Sequence, residues 1–243
     1  MGTFLGLGSP LTAEIVALAG FDWVVVDLEH GAGDERDALG QLQAVARTGL
    51  SPLIRVESNE RPRFHRALDL GAAGVLVPRL EGAEDARRAV AYSRYSGLRG
   101  VAKGNRAWAW GRKDDDYLRA ADEENVLAVQ IETRSALKDI RQIGAVEGVD
   151  VIFLGPADLA NALGIRGGPD HPEVLDAARE IVRAATEFGK AAGVVVPELT
   201  HAALYHELGF TFLGCGSDTV MVVREAHRTA QELRALRDLP DRP

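Results

Sequence analysis

Along this chain, short apolar runs rich in Val, Ile and Leu alternate with longer stretches whose apolar residues recur at helical spacing. The runs have the length and β-branched content of buried strands. They fall at Thr3–Leu7, Trp23–Asp27, Pro52–Val56, Gly74–Val77, Val126–Ile131, Val149–Leu154, Ala192–Val196 and Phe210–Gly214. Between them the pattern predicts helices from Pro10 to about Ala19 with Ser9 as cap, and from about Asp34 to Thr48 with Asp34 as cap. Further helices are expected over Arg61–Leu70 ending at Gly71, Ala83–Tyr92, Asp114–Asn125 and Thr133–Ile143. A short one over Asp158–Leu163 precedes Pro172–Phe188, then about Glu198 to Leu208. The last is capped by Asp218 and runs to about Leu236. Pro240–Pro243 reads as a frayed tail. Ser93–Lys113, rich in Gly and Arg and carrying two tryptophans, fits no period. A loop of that length in a compact domain is functional or disordered.

Eight strands alternating with helices, at roughly 30 residues per unit, predict a single-domain α/β protein spanning 1–243, a (β/α)8 TIM barrel. A doubly wound open sheet is the alternative. The length of 243 residues suits one barrel. Hydrophobic content of 46% and charged content of 26% are ordinary for a globular chain. No apolar run approaches the roughly 18 residues of a membrane span. The opening MGTFLGLGSP lacks the basic stretch of a secretory leader. A net charge of −8 without any basic block argues against nucleic acid and anionic membranes as partners. The single cysteine, Cys215, excludes an internal disulfide and points to a reducing cytoplasm.

In a parallel barrel all strand C-termini meet at one rim, where the chemistry sits. Collected there are Asp27, Glu29 and His30, then Arg55, Arg79, Gln130, Glu132 and Asp158. Paired carboxylates on neighbouring strand ends suit a hard divalent cation or general acid–base work. Structural readings stand beside these. Asp158, after Gly155-Pro156, could be a helix cap, and Glu132 could complement the dipole of the helix that follows it. His30 could be a hydrogen-bonded rim residue. Arg55 interrupts an apolar strand, which is costly unless it is paired or serves a site. Asp69 ends a helix at the pole that disfavours an acid. The other histidines lie on helices or in a Pro-flanked loop and carry no site. Gly6-Leu7-Gly8 lacks the third glycine of a dinucleotide fingerprint. None of Lys103, Lys113, Lys138 and Lys190 lies on a strand, so a Schiff-base lysine at the barrel core is not available.

The segments FDWVVVDLEHG, LIRVE, VLVPRLEGAEDARRAV, VQIETRSAL and IFLGPADLANALG, in that order, resemble the HpcH/HpaI aldolase/citrate lyase family. The likeness runs from Phe4 to about Glu225 and is nearest to the metal-dependent class II pyruvate aldolases of 4-hydroxy-2-oxo acids. It implies a (β/α)8 barrel assembled as a homo-oligomer, usually a hexamer, with C-terminal helices, here about 218–236, exchanged between subunits. It implies Glu132 and Asp158 as ligands of a divalent ion (Mg2+, Mn2+ or Co2+). Gln130 and the backbone at Ala157–Asp158 would contact the pyruvate part of the substrate. Arg55 would stabilise the enolate-like transition state and His30 act as general base. Asp69 would raise the basicity of that histidine, and Asp27 would stand behind it. The partners implied are a small-molecule 2-oxo acid and an aldehyde. Two departures bear on the substrate: Leu28 where many relatives have Gly, and the Gly100–Trp110 loop, whose tryptophans could shape an aldehyde pocket or a subunit contact. A CoA-thioester lyase of the citryl or malyl kind, and a barrel that binds a metabolite without turning it over, are the competing functions. The latter would need no base.

Overall fold

The structure, a computed structural model, describes residues 1–237. Pro240–Pro243, expected as a tail, lie outside the described residues. Eight parallel strands close in sequence order into a barrel: β1 (Gly2–Leu5), β2 (Trp23–Asp27), β3 (Ser51–Arg55), β4 (Gly74–Val77), β5 (Val126–Ile131), β6 (Val151–Leu154), β7 (Ala191–Val196) and β8 (Phe212–Ser217). The surrounding helices are α1 (Pro10–Ala17), α2 (Glu35–Val45), α3 (Arg61–Asp69), α4 (Ala83–Ser93), α5 (Asp116–Glu124), α6 (Arg134–Lys138) and α7 (Ile140–Gly144). They continue with α8 (Pro156–Leu163), α9 (Pro172–Glu187), α10 (Leu199–Leu208) and α11 (Asp218–Arg237).

Side chains alternate across each strand. Phe4, Trp23, Val25, Leu53, Leu76, Ala128, Val151 and Phe153 fill the barrel interior. The residues between them, such as Val24, Val26, Ile54, Val75, Leu127 and Ile152, face the helix ring. Extending the same parity to the strand ends carries Asp27, Arg55, Gln130 and Glu132 into the interior at its C-terminal mouth. Register completes the placement, because Asp27 pairs with Arg55 across β2 and β3. At the opposite end Trp23 stacks on Phe212, ring centroids 4.1 Å apart, and plugs the barrel. Gly2 and Gly214 make the room: a Cβ on either would fall 2.2 or 2.8 Å from the indole.

The expected caps form. Ser9 Oγ accepts from Thr12 N, and Asp34 makes a reciprocal capping box with Asp37. Asp218 does more than cap. It is buried, and its carboxylate accepts from the N–H groups of Gly6 (2.7 Å) and Leu7 (3.3 Å) and from Thr12 Oγ1 (3.0 Å), closing β8 onto β1.

Three elements differ from expectation. The last strand runs over Phe212–Ser217 rather than Phe210–Gly214, because Gly214 is not a stop but the clearance that the neighbouring indole requires. The helix expected over Thr133–Ile143 breaks at Asp139, whose carboxylate accepts from Ala83 N at 2.6 Å and so caps α4. The irregular stretch carries a small core of its own. Trp108 is fully buried, edge-on to Tyr117 at 5.0 Å, and the Arg99 guanidinium lies over the Tyr95 ring at 4.1 Å.

This loop lies along α3, with Ala107 N donating to Asp69 O and Gly100 N to His65 Nε2. Its tryptophans line neither cavity at the mouth of their own barrel. Trp110 is exposed on that flank with a left-handed backbone, φ 59°.

Candidate active site

Asp27 and Arg55 form a buried, two-pronged ion pair: Nε to Oδ1 at 2.8 Å and Nη2 to Oδ2 at 2.6 Å. Asp27 Oδ1 also accepts from the backbone N–H groups of Glu29 and His30, each at 3.1 Å. One carboxylate thus fixes both the arginine and the turn that presents the histidine. Asp27 reaches His30 through the main chain, not through its imidazole. The remaining guanidinium nitrogen, Nη1, meets Glu29 Oε2 at 3.2 Å, and Glu29 Oε1 lies 4.0 Å from His30 Nε2. The Phe4 ring lies 5.1 Å from the guanidinium carbon. The His30 side chain stands largely exposed at the mouth.

Two adjacent strand ends supply the acids. Glu132, 4% exposed, follows β5. Its Oε1 accepts from Arg79 N at 2.6 Å, and its Oε2 accepts from Gln130 Nε2. Arg79 takes a left-handed conformation, φ 56°, to aim that N–H. Strain of this kind, on the order of 1–3 kcal/mol, concentrates at functional sites. Glu132 therefore does not serve the dipole of the helix after it. Asp158 does not cap α8 either: the cap is Gly155, and Asp158 sits in the first turn, exposed. Among the described residues its carboxylate accepts no protein hydrogen bond. Gly155 lets the two strand ends close up, since a Cβ there would fall 2.7 Å from Glu132 Oε2 and 2.8 Å from Gln130 Nε2.

Burial pushes the Glu132 carboxyl up to about 7, and the nearby Glu29 and Asp158 charges add to this, against the Arg79 N–H and the Gln130 amide. Burial likewise raises Glu29 despite Arg55 and His30. Burial would raise Asp27 too, but the Arg55 hydrogen bonds and charge outweigh it, and Asp27 is held below the ordinary carboxylate range. The mouth thus concentrates anionic oxygen that its own cation, Arg55, does not fully neutralise.

Glu132 and Asp158 are the pair able to hold a hard divalent cation, and the donor chemistry fits. Both offer oxygen, Glu132 is short of positive charge, and Gln130 Oε1 is buried without a partner. Among the described residues no three His, Cys, Asp or Glu side chains converge on one point. Such an ion would keep its other positions for substrate and water, the usual arrangement for Mg2+.

Beside this pair lies a cavity of about 280 Å3 lined by Arg55, Gln130, Ala157, Asp158, Phe4 and Phe153, among others. The first-turn N–H groups of Ala157 and Asp158 have no acceptor inside α8, and a helix N-terminus of this kind suits an anion. A second cavity of about 300 Å3 adjoins it and includes Asp27 and His30.

Asp69 is not brought to this site. It ends α3, just before β4 begins at the plugged end of the barrel, and it pairs with Arg99 at 3.3 Å. Sequence reasoning placed Glu29 on the rim without a role; here it links Arg55 to His30. Nothing in the sequence marked the Arg79 backbone, because a left-handed arginine has no compositional signal. Among the described residues no helix is long and apolar enough to cross a membrane.

The sequence model described as HpcH/HpaI aldolase/citrate lyase matches residues 1–225. The chain is 41% identical, over 96% of its length and 88% of the relative's, to the hydroxypyruvate/pyruvate aldolase of Cupriavidus necator. It is also 41% identical to the 4-hydroxy-2-oxo-heptane-1,7-dioate aldolase of Escherichia coli, covering 97% of this chain and 90% of the relative. The crystal structure of an HpcH/HpaI aldolase/citrate lyase family protein from Burkholderia cenocepacia J2315 superposes with a TM-score of 0.91 at 37% identity, over 96% of this chain and 93% of the other.

Proposed function

The chain belongs to the HpcH/HpaI aldolase/citrate lyase family, and from that premise we propose that it is a divalent-metal-dependent pyruvate aldolase, cleaving 4-hydroxy-2-oxo acids to pyruvate and an aldehyde. The observation that carries the reading is the convergence of Asp158, a buried arginine, Gln130 and a helix N-terminus on one cavity, with the undercompensated Glu132 bonded to Gln130 behind it.

The substrate's carboxylate is bound by the free N–H groups of Ala157 and Asp158, with the Gln130 amide beside it. Glu132 and Asp158 would hold a divalent ion (Mg2+, Mn2+ or Co2+), which would supply Lewis-acid chemistry to the 2-oxo acid. His30, exposed at the mouth, takes the proton of the C4 hydroxyl as general base. The C4 oxygen becomes the aldehyde carbonyl as the C3–C4 bond breaks, and that electron pair moves to the C2 oxygen. Arg55 provides fixed positive charge there, and Asp27 keeps its guanidinium from turning. Return of a proton to C3 gives pyruvate.

We assign the active form to a homo-oligomer, a hexamer by resemblance, in the cytoplasm. Leu11, Ile15 and Leu18 form an exposed apolar stripe on and just beyond α1. Every residue from Val222 to Leu236 on α11 is exposed, including Val222, Val223, Leu233 and Leu236. Such a helix is expected to be exchanged onto a partner. Asp69, at the far end of its own barrel, can act on a His30 only across a subunit boundary.

Pyruvate release from a panel of 4-hydroxy-2-oxo acids tests the reading. Chelator should abolish release, and added Mg2+ or Mn2+ should restore it. Full turnover in excess EDTA would rule it out.

A further inference from the structure

The mouth of the barrel is divided. Phe4, Val195 and Pro197 border both cavities and form a partition. On one side stand Arg55, Gln130 and the start of α8, all the groups suited to a 2-oxo acid. On the other side, His30 and Asp27 edge a lobe of about 300 Å3 whose far wall is Val196, Ser217, Thr219 and Val220. That volume is at the small end for ligand pockets. Among the described residues no lysine or arginine lines it.

We propose that this second lobe holds the aldehyde half of the substrate and selects a short, uncharged aldehyde over one that carries a carboxylate. The inference rests on the aldolase reading and adds the acceptor class to it. A carboxylate entering the lobe would meet no cation of its own chain. It would also face Asp27, an acid already committed to Arg55. The polar groups on the far wall are weak. Thr219 Oγ1 turns to Asp218 Oδ1 at 3.4 Å. Ser217 Oγ accepts from Val220 N at 3.2 Å, which leaves its own proton free to donate. One hydroxyl donor suits a hydroxyl or carbonyl oxygen, so an alkanal or a hydroxyaldehyde is accommodated. The rejection is electrostatic, in the manner of specificity built against the wrong partner.

The test separates the two halves of the reaction. Deuterium exchange into the methyl group of pyruvate, followed by NMR with the Mg2+-loaded protein, reads donor activation without any acceptor. Aldol addition is then measured with propanal, glycolaldehyde and succinic semialdehyde. Exchange should occur, and kcat/KM for the two neutral acceptors should exceed that for succinic semialdehyde by at least about tenfold. Val220→Arg, which places a cation on the far wall, should shift the ratio toward succinic semialdehyde by at least about tenfold. Exchange together with equal or better use of succinic semialdehyde by the unaltered chain would overturn the acceptor assignment alone. Absence of exchange would overturn the aldolase reading and this inference with it.

Discussion

Glu132 ionises at about 7, against 4.5 for an ordinary glutamate, so the folded metal-free protein holds an extra proton across that interval. The folded state binds more protons than the unfolded chain between those values, and stability must therefore fall as pH rises through the window. The loss is on the order of 3 kcal/mol once both states are ionised. Glu29, also raised by burial, acts in the same direction. Asp27, held low by Arg55, acts oppositely, and its contribution disappears only as pH falls below the ordinary aspartate range. Urea unfolding of the chelated protein should give a smaller free energy at pH 8 than at pH 5. Glu132→Gln should flatten that slope, and Mn2+ at pH 8 should recover the loss. A pH-independent free energy for the chelated protein would contradict this electrostatic account. Arg55 has two separable roles. Arg55→Ala should cost about 10²–10³ in kcat through lost charge stabilisation. It should also cost about 3–5 kcal/mol of stability, because Asp27 is left buried without its partner. Loss of kcat with an unchanged unfolding midpoint would show that the pair is not structural.

The strand ends are where periodicity, register and packing become chemistry. Inward parity along β2, β3 and β5 could be counted in the sequence, and it puts Asp27, Arg55, Gln130 and Glu132 on the interior side. The alternating pattern likewise marks all eight strands and most helix starts, because caps and Pro positions are local signals. What it missed depends on non-local neighbours. Gly214 of β8 reads as a terminator, yet it is clearance for the Trp23 ring. Asp139 reads as a helical residue, yet it caps α4, a neighbouring helix distant in sequence. Gly155 belongs to the same class: its lack of a side chain lets the β6–α8 turn press on Glu132. Gly155→Ala should therefore displace the carboxylate and weaken Mn2+ binding by about 10–100-fold, the range for groups that orient a ligand. Titration calorimetry would show this, and unaltered affinity would mean that the turn tolerates the methyl.

At the scale of the molecule the barrel brings most of the site together within one chain, and Asp69 is the exception. The sequence carried the signal: in a parallel barrel the helix before a strand ends at the strands' N-terminal edge, and Asp69 closes the helix before the fourth strand. If Asp69 serves a neighbour's His30, assemblies made only of His30→Ala chains or only of Asp69→Ala chains should both be impaired. Coexpressed mixtures should regain activity, because some boundaries then unite an intact pair; no recovery would confine Asp69 to its bond with Arg99. The exposed stripe of Leu11, Ile15 and Leu18 makes a parallel statement about assembly. Replacing all three by Glu should move the light-scattering mass toward one chain, whereas an unchanged mass would place the interface elsewhere. The most direct test of the whole account is Mn2+ titration of the chelated protein, followed by electron paramagnetic resonance. One ion per chain should bind, with binding lost in both Glu132→Gln and Asp158→Asn while the circular dichroism spectrum is kept. Equal binding by the two variants, or none by the unaltered chain, would contradict the claim that these two acids hold the cation.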